Sequence, residues 1–383
     1  MKRQEFDLMN RISLDSTSPK EQLLSVAAPE SKLGYRPELD GLRGISILLI
    51  YIHHLYFPLV PGGFLGVDIF FALSGFLITS LLVEEWNRRG SIRLKDFYIR
   101  RALRLMPAVF LLILITGALA LIVDKRTATE IRQGIWLTLS YVSNWFYAFG
   151  YFSVRNPLGI TWSLAIEEQF YLTWPLLLSL ALRFKLQRRW IFYILTFIIA
   201  IMPLHRRMLL AQGANVLRLY FGSDTRADGL PIGCLVGLLV SWNLLPPKKG
   251  FEICMKFLAA VGIIFLGYLV SYPSWMDLLL YRYGGFTLVS LSVALSLIVV
   301  ILYPPKFALW VLKFRPLVWI GRISYGLYLW HWPVRWFIYL KKALPASTGQ
   351  LVAAVVLSLL LPTLSYHFVE KPFLRWKKRF GSI

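Results

Sequence analysis

The sequence predicts an all-α, polytopic membrane bundle of about ten spanning helices plus one re-entrant or interfacial segment, both termini cytoplasmic. Three observations carry this. The 383 residues are 57% hydrophobic and only 16% charged, with a mean hydropathy of +0.59. A water-soluble globule so apolar would have too little polar surface to present. The apolar residues gather in long runs, and the basic residues stand in short clusters between those runs, as orienting charges do in membrane proteins. The net charge of +22 is therefore read as topology, and nucleic acid is excluded as a partner.

Eleven stretches are apolar enough to be membrane segments: near 41–61, 64–83, 106–123, 134–150, 161–182, 190–204, 228–244, 256–272, 284–303, 320–340 and 350–369. If all eleven crossed, the basic loops 183–189 and 246–256 would fall outside, against the positive-inside rule. The conflict disappears if the fourth stretch does not span. It carries Asn144, two serines and two tryptophans, which suits a re-entrant or interfacial segment. With ten crossings, 29 lysines and arginines fall inside and 11 outside, while Arg43 and Arg335 lie within helices. Residues 1–33 read as a polar cytoplasmic tail, 34–376 as one membrane domain and 377–383 as a basic cytoplasmic tail. The cysteines are Cys234 in an apolar run and Cys254 in a basic loop, so neither a disulfide nor a metal site is expected.

The first stretch holds the most informative pair, Arg43 and His54. They stand 11 residues apart, which at about 100° per residue leaves them roughly 20° from one shared helix face. Along the axis they are about 16 Å apart, half the hydrocarbon core of a bilayer. Buried ionisable residues of this kind face a cavity or a partner. Histidine can take and return a proton near neutral pH, so His54 is the natural general base for a hydroxyl nucleophile. Adjacent His53 points about 100° away and reads as structural.

The second stretch carries Asp68, Ser74 and Gly75. Asp68 either orients and charge-balances His54 or is structural, while Ser74 and Gly75 read as allowing close helix packing. Next come Arg100, Arg101 and Arg104, placed in a cytoplasmic loop just before Pro107 opens the third stretch. Arginines at this spacing can fork onto phosphate oxygens; orientation and anionic-lipid contact are the competing explanation. The fifth stretch places Glu167 and Glu168 in the membrane. Adjacent carboxylates point to different faces, so at least one is expected to line the site. Before the seventh stretch, Asp224, Arg226 and Asp228 form a polar group that serves either as a solvated loop or as an acceptor-binding rim. His331 in the tenth stretch is a second candidate lining residue. Glu370 is expected to pair with basic residues at the cytoplasmic interface.

Together these segments resemble the acyltransferase-3 family of integral membrane O-acyltransferases, whose bacterial members modify surface polysaccharides. The likeness covers about 33–376 and rests on Arg43 and His54 in an R-x10-H pattern. In order after it come GVDIFFALSGFLIT, FYIRRALRLMPA, WSLAIEEQFYLTWP, DTRADGLPIGCLVG, SYGLYLWHWPV and VEKPF. The resemblance implies that Arg43 and His54 are essential and that Arg100, Arg101 and Arg104 face acyl-CoA on the cytoplasmic side. Acetyl-CoA would then be a co-substrate rather than a bound cofactor. The acceptor would be a hydroxyl of a surface or lipid-linked glycan, lipopolysaccharide included, at a bacterial inner membrane. Some relatives carry a C-terminal SGNH-type domain that completes transfer outside. This chain is expected to hand the acyl group on directly or to a separate extracytoplasmic partner. A proton-coupled transporter or lipid flippase would use the same buried Arg, His and Glu residues, although no repeat symmetry is visible.

Overall fold

The computed structural model describes residues 34–271, 278–339 and 342–377; the N-terminal tail 1–33 and the end of the basic C-terminal tail lie outside the described residues. Every regular element among the described residues is helical. Each of the eleven apolar stretches is helical for most of its length.

Helix α1 (Pro37–Leu55) starts where its sequence says it should, with proline in the first turn and Glu38 and Asp40 beside the helix N-terminus. It stops before Pro58 and Pro61. A 3-10 turn (Gly63–Leu65) leads into α2 (Gly66–Arg89), which closes on Gly90 at φ +64°, the left-handed cap that glycine adopts most readily. Helix α3 (Leu94–Leu119) begins well before Pro107 and runs through it. Arg100, Arg101 and Arg104 therefore sit on a helix and not in a preceding loop.

The fourth stretch is broken. Helices α4 (Lys125–Leu139) and α5 (Ser143–Ala148) flank Tyr141, whose φ is +53°, and neither reaches 18 residues. Then follow α6 (Trp162–Arg183), α7 (Arg188–Ala211), the short α8 (Val216–Phe221) and α9 (Ser223–Arg226), and α10 (Gly229–Ser241). The remainder comprises α11 (Lys249–Ser271), α12 (Leu278–Arg282), α13 (Gly285–Leu302), α14 (Lys306–Leu312), α15 (Arg315–Arg322), α16 (Ser324–Ile338), α17 (Thr348–Leu364) and α18 (Lys371–Lys377). A π-helical turn (Ser365–Glu370) joins the last two.

Among the described residues, six helical segments are long and apolar enough to cross a membrane: Gly63–Arg89, Leu94–Leu119, Arg188–Ala211, Lys249–Ser271, Gly285–Leu302 and Thr348–Trp376. This is a multi-pass membrane protein. Two of the six are mostly buried, Gly63–Arg89 and Gly285–Leu302, whereas in the others fewer than a third of the residues are buried. In a bilayer, exposed leucine and phenylalanine face lipid without penalty, and close packing rather than hydrophobicity selects helix partners. The packing of α2 on α10 is of this kind. A Cβ at Gly75 would lie 2.1 Å from the Leu230 carbonyl oxygen, and one at Gly233 2.1 Å from that of Ala72. Only hydrogen fits at either point, as expected for Gly75.

Candidate active site

Helix α1 opens into two different cavities. At its N-terminal end Arg43 lines a cavity of about 180 Å3 together with Arg101, Arg104, Glu167, Ser74 and Tyr171. At its C-terminal end His53 and His54 line a cavity of about 590 Å3 with Trp162, Tyr220, Trp332, Arg155 and Arg335. The shared face read from the sequence is present, but the polar track along it is interrupted. Tyr328 and Ser163 line the smaller cavity, and Ser163 donates its hydroxyl hydrogen to Tyr328 Oη. Tyr328 in turn donates to the carbonyl of Ile160 at 3.1 Å, a residue of the larger cavity's wall. Phe71 and Trp162 close the same partition edge to face, 6.4 Å apart.

In the smaller cavity three guanidinium groups meet one carboxylate. Tyr171 donates to Ser74 Oγ at 2.9 Å, and Ser74 donates to Glu167 Oε1 at 2.5 Å. The Arg101 guanidinium lies 3.5 Å from the centre of the Tyr171 ring, a cation–π contact that fixes its direction. Its Nε is buried and makes no hydrogen bond among the described residues. Arg43 donates from Nε to Ser324 Oγ at 3.4 Å. Ser74, read from the sequence as a packing residue, is thus a bonded member of this site. The choice between the adjacent carboxylates is also made here, since Glu167 lines the cavity and Glu168 does not.

The arginine trio divides. Arg101 and Arg104, three residues apart, share a helix face and enter the cavity. Arg100 points about 100° away from Arg101, is buried, and pairs with Glu85 at 3.3 Å. Its expected place beside the other two is not what the fold provides.

In the larger cavity His54 Nδ1 lies 2.8 Å from His331 Nε2. His331 Nδ1 lies 2.9 Å from the carbonyl oxygen of Leu327. A carbonyl only accepts, so Nδ1 of His331 carries a hydrogen, and in the neutral ring its Nε2 is the acceptor. His54 then donates from Nδ1, and its own Nε2 bears the lone pair. The arrangement orients a base through a second ring that is fully buried. His331 is therefore the partner of His54 rather than a residue lining the cavity. Trp332 packs edge-on against His54 with centroids 5.0 Å apart. His53 is held by the Val60 carbonyl at 3.0 Å, yet also lines the cavity.

Asp68, expected beside His54, goes elsewhere, as do the acidic residues expected at the acceptor rim. Asp68, 1% exposed, takes both terminal nitrogens of Arg226. Asp228 accepts from Arg206 Nη1 at 2.6 Å and from the Thr287 hydroxyl, all buried. Buried carboxylates need such partners. Arg226 and Asp228 consequently form no exposed rim. Asp224 remains partly exposed and pairs with Arg218 at 2.6 Å and His205 at 2.9 Å. Glu370, expected to pair with basic residues, is buried and accepts from Ser365 at 3.2 Å.

Trp332, Arg155 and Arg335 went unread in the sequence. Trp332 and Arg335 look like belt residues, and only their spacing of one turn in α16, beside His331, connects them to the site.

The fold and site define a class: an all-helical, multi-pass membrane protein whose first helix carries an arginine into a basic cavity and a paired histidine into a larger one. The chain belongs to the acyltransferase-3 family, whose profile, described as an acyltransferase domain, matches residues 36–367. It is 35% identical over 354 residues to a Bacillus subtilis protein provisionally named a peptidoglycan O-acetyltransferase, covering 88% of this chain and 55% of that one. It is 32% identical over 347 residues to the peptidoglycan O-acetyltransferase of Listeria monocytogenes, covering 88% and 56%. To an O-acetyltransferase of Staphylococcus aureus it is 36% identical over 356 residues, covering 88% and 57%. The chain thus spans a little over half the length of these relatives. No solved structure matches it.

Proposed function

We propose that this chain is a membrane O-acetyltransferase that moves an acetyl group from cytoplasmic acetyl-CoA to a hydroxyl of an envelope glycan. The observation that carries this reading is that one helix, α1, brings Arg43 into a cavity with three guanidinium groups at one end and His54 into a larger cavity at the other. In a bacterial cytoplasmic membrane the arginine end faces the cytoplasm, in keeping with the basic loops on that side. Arg101, Arg104 and Arg43 take phosphate oxygens of the donor, and the unbonded Nε of Arg101 is a donor waiting for such a ligand. Glu167 fixes the site through Ser74 and Tyr171.

Once the donor's thioester has passed the Tyr328–Ser163 and Phe71–Trp162 partition, His54 Nε2 removes the proton of the acceptor hydroxyl, whose oxygen attacks the thioester carbonyl. The C–S bond breaks, the thiolate leaves and takes the proton back from the imidazolium as free CoA thiol. Alternatively Nε2 attacks the thioester first, the C–S bond breaks and the thiolate leaves. The acceptor oxygen then takes the acetyl group as the N–acyl bond breaks, and its proton balances the thiolate as CoA thiol. His331 holds the tautomer in either route. Asp68 serves by fixing α2 through Arg226 and does not charge-balance the histidine. The relatives named above favour peptidoglycan over lipopolysaccharide as the acceptor. A separate extracytoplasmic partner remains compatible with transfer to His54 and onward.

The test is release of free CoA thiol from acetyl-CoA by the purified protein, wild type beside His54→Ala and Arg101→Ala. Loss of turnover in the first variant and weaker acetyl-CoA binding in the second are expected. Turnover unchanged in His54→Ala would overturn the mechanism. Folded wild-type protein that neither binds nor turns over any short acyl-CoA would favour a transporter.

A further inference from the structure

The larger cavity carries chemistry that general base catalysis does not use. Its walls are aromatic, with Trp332, Trp162 and Tyr220 among them. Its charged or readily protonated lining is His53, His54, Arg155 and Arg335, and no carboxylate among the described residues lines it. Trp332 cannot turn freely, because its Nε1 donates to the Asn156 carbonyl at 2.8 Å. The ring is thereby fixed beside His54, with the Arg335 guanidinium over it at 5.1 Å from its centre, so a pyranose would stack on the face opposite that guanidinium.

The two arginines are placed differently, and neither is paired with a carboxylate among the described residues. Arg335 is one turn beyond Trp332 on α16 and donates from Nη2 to the carbonyl of Ala343 at 2.7 Å. That bond fixes the guanidinium without cancelling its charge. Its Nε is buried and makes no hydrogen bond among the described residues. Arg155 is exposed. Neither forms an ion pair among the described residues, in contrast to Arg226, Arg206, Arg218 and Arg100, which each hold a carboxylate. A cavity that holds two guanidinium groups with no carboxylate opposite them among the described residues is electropositive, and an anionic group is the ligand that this field favours.

We infer that the hydroxyl acceptor is an anionic saccharide: a sugar ring stacks on Trp332 while its carboxylate or phosphate binds Arg335 and Arg155, which sets the hydroxyl against His54. This rests on the acyl-transfer reading for what happens next, but not for binding itself. Arg155 and Arg335 are then specificity-determining residues that select charge on the acceptor.

The experiment is calorimetric titration of the purified full chain, without acyl donor, with three probes. These are the neutral disaccharide N,N′-diacetylchitobiose, the corresponding disaccharide bearing one lactyl carboxylate, and N-acetylglucosamine 1-phosphate. At least one anionic probe is expected to bind about tenfold or more tightly than the neutral one, a preference that weakens with added salt. The better anionic probe identifies the group recognised. Arg335→Gln should bring the preference to within about twofold. Because Arg335 also holds a loop carbonyl, Arg155→Gln, at an exposed side chain, provides the second variant and should lower the preference about threefold or more. Equal binding of all probes, no binding of any, or a preference untouched in both variants would overturn the inference. If the anionic preference stands while no CoA thiol is released, the acyl-transfer reading fails and this site remains. If acetyl transfer proceeds equally to neutral and anionic acceptors, the site fails and the transfer reading remains.

Discussion

His54 and His331 stand 277 residues apart in sequence and 2.8 Å apart in space, Nδ1 to Nε2. Because the far nitrogen of His331 donates to the Leu327 carbonyl, the pair has a direction. One ring is held in a single tautomer by backbone, and it holds the other.

His331 is a positioning residue, and its removal should act on kcat rather than on donor binding. His331→Leu is expected to lower kcat by about 100-fold and to leave the KM for acetyl-CoA within about twofold. His331→Gln, whose amide oxygen can accept from His54, should recover part of the loss. Steady-state CoA release on the three proteins checks this.

The division of the arginine trio gives a contrast within one turn of helix. Arg101→Ala and Arg104→Ala should each weaken acetyl-CoA binding by about tenfold or more, increasingly at low ionic strength. Arg100→Gln should leave that affinity within about twofold and instead cost stability, because Glu85 keeps its buried place. Titration of acetyl-CoA, paired with thermal unfolding, separates the two effects.

Asp68 and Arg226 are a buried pair that joins α2 to the segment just before α10. Removing one partner leaves an uncompensated charge, so Asp68→Leu should destabilise the protein by about 3–5 kcal/mol. The double replacement Asp68→Leu with Arg226→Leu should recover most of it. Unfolding midpoints of the two single variants and the double variant test the coupling.

At the crossing of α2 and α10, Gly75→Ala places a methyl group 2.1 Å from the Leu230 carbonyl. The helices must separate, and a loss of roughly 1–3 kcal/mol or more is expected. Replacement of exposed Leu114 on the lipid-facing side of α3 by alanine should change the midpoint far less. Thermal scans in the same detergent decide it.

Much of the fold was legible because it is written locally. The apolar runs mark the helices. Proline and acidic residues mark the start of α1, and Gly90 marks the end of α2. The polar residues of the fourth stretch pointed to a re-entrant or interfacial segment, and the structure divides it at Tyr141 into two short helices. The start of α3 was misread because Pro107 looked like a first-turn residue, although a helix can carry proline where a neighbouring residue or solvent replaces the missing bond.

The sequence by itself determined that Arg43 and His54 lie on one face of one helix, since 11 residues at a fixed angular step allow nothing else. It likewise required Glu167 to diverge from Glu168, whereas the divergence of Arg100 from Arg101 follows only from the helix that runs through them. Only the tertiary structure decided which face meets what. It gave Asp68 to Arg226, His331 to His54, and Glu167 rather than Glu168 to the lining of the arginine cavity. The reason is physical. A helical period fixes directions within a helix, but in lipid the rotation of one helix against another is set by close packing and by the partner each buried charge finds, and those contacts join residues far apart in the chain.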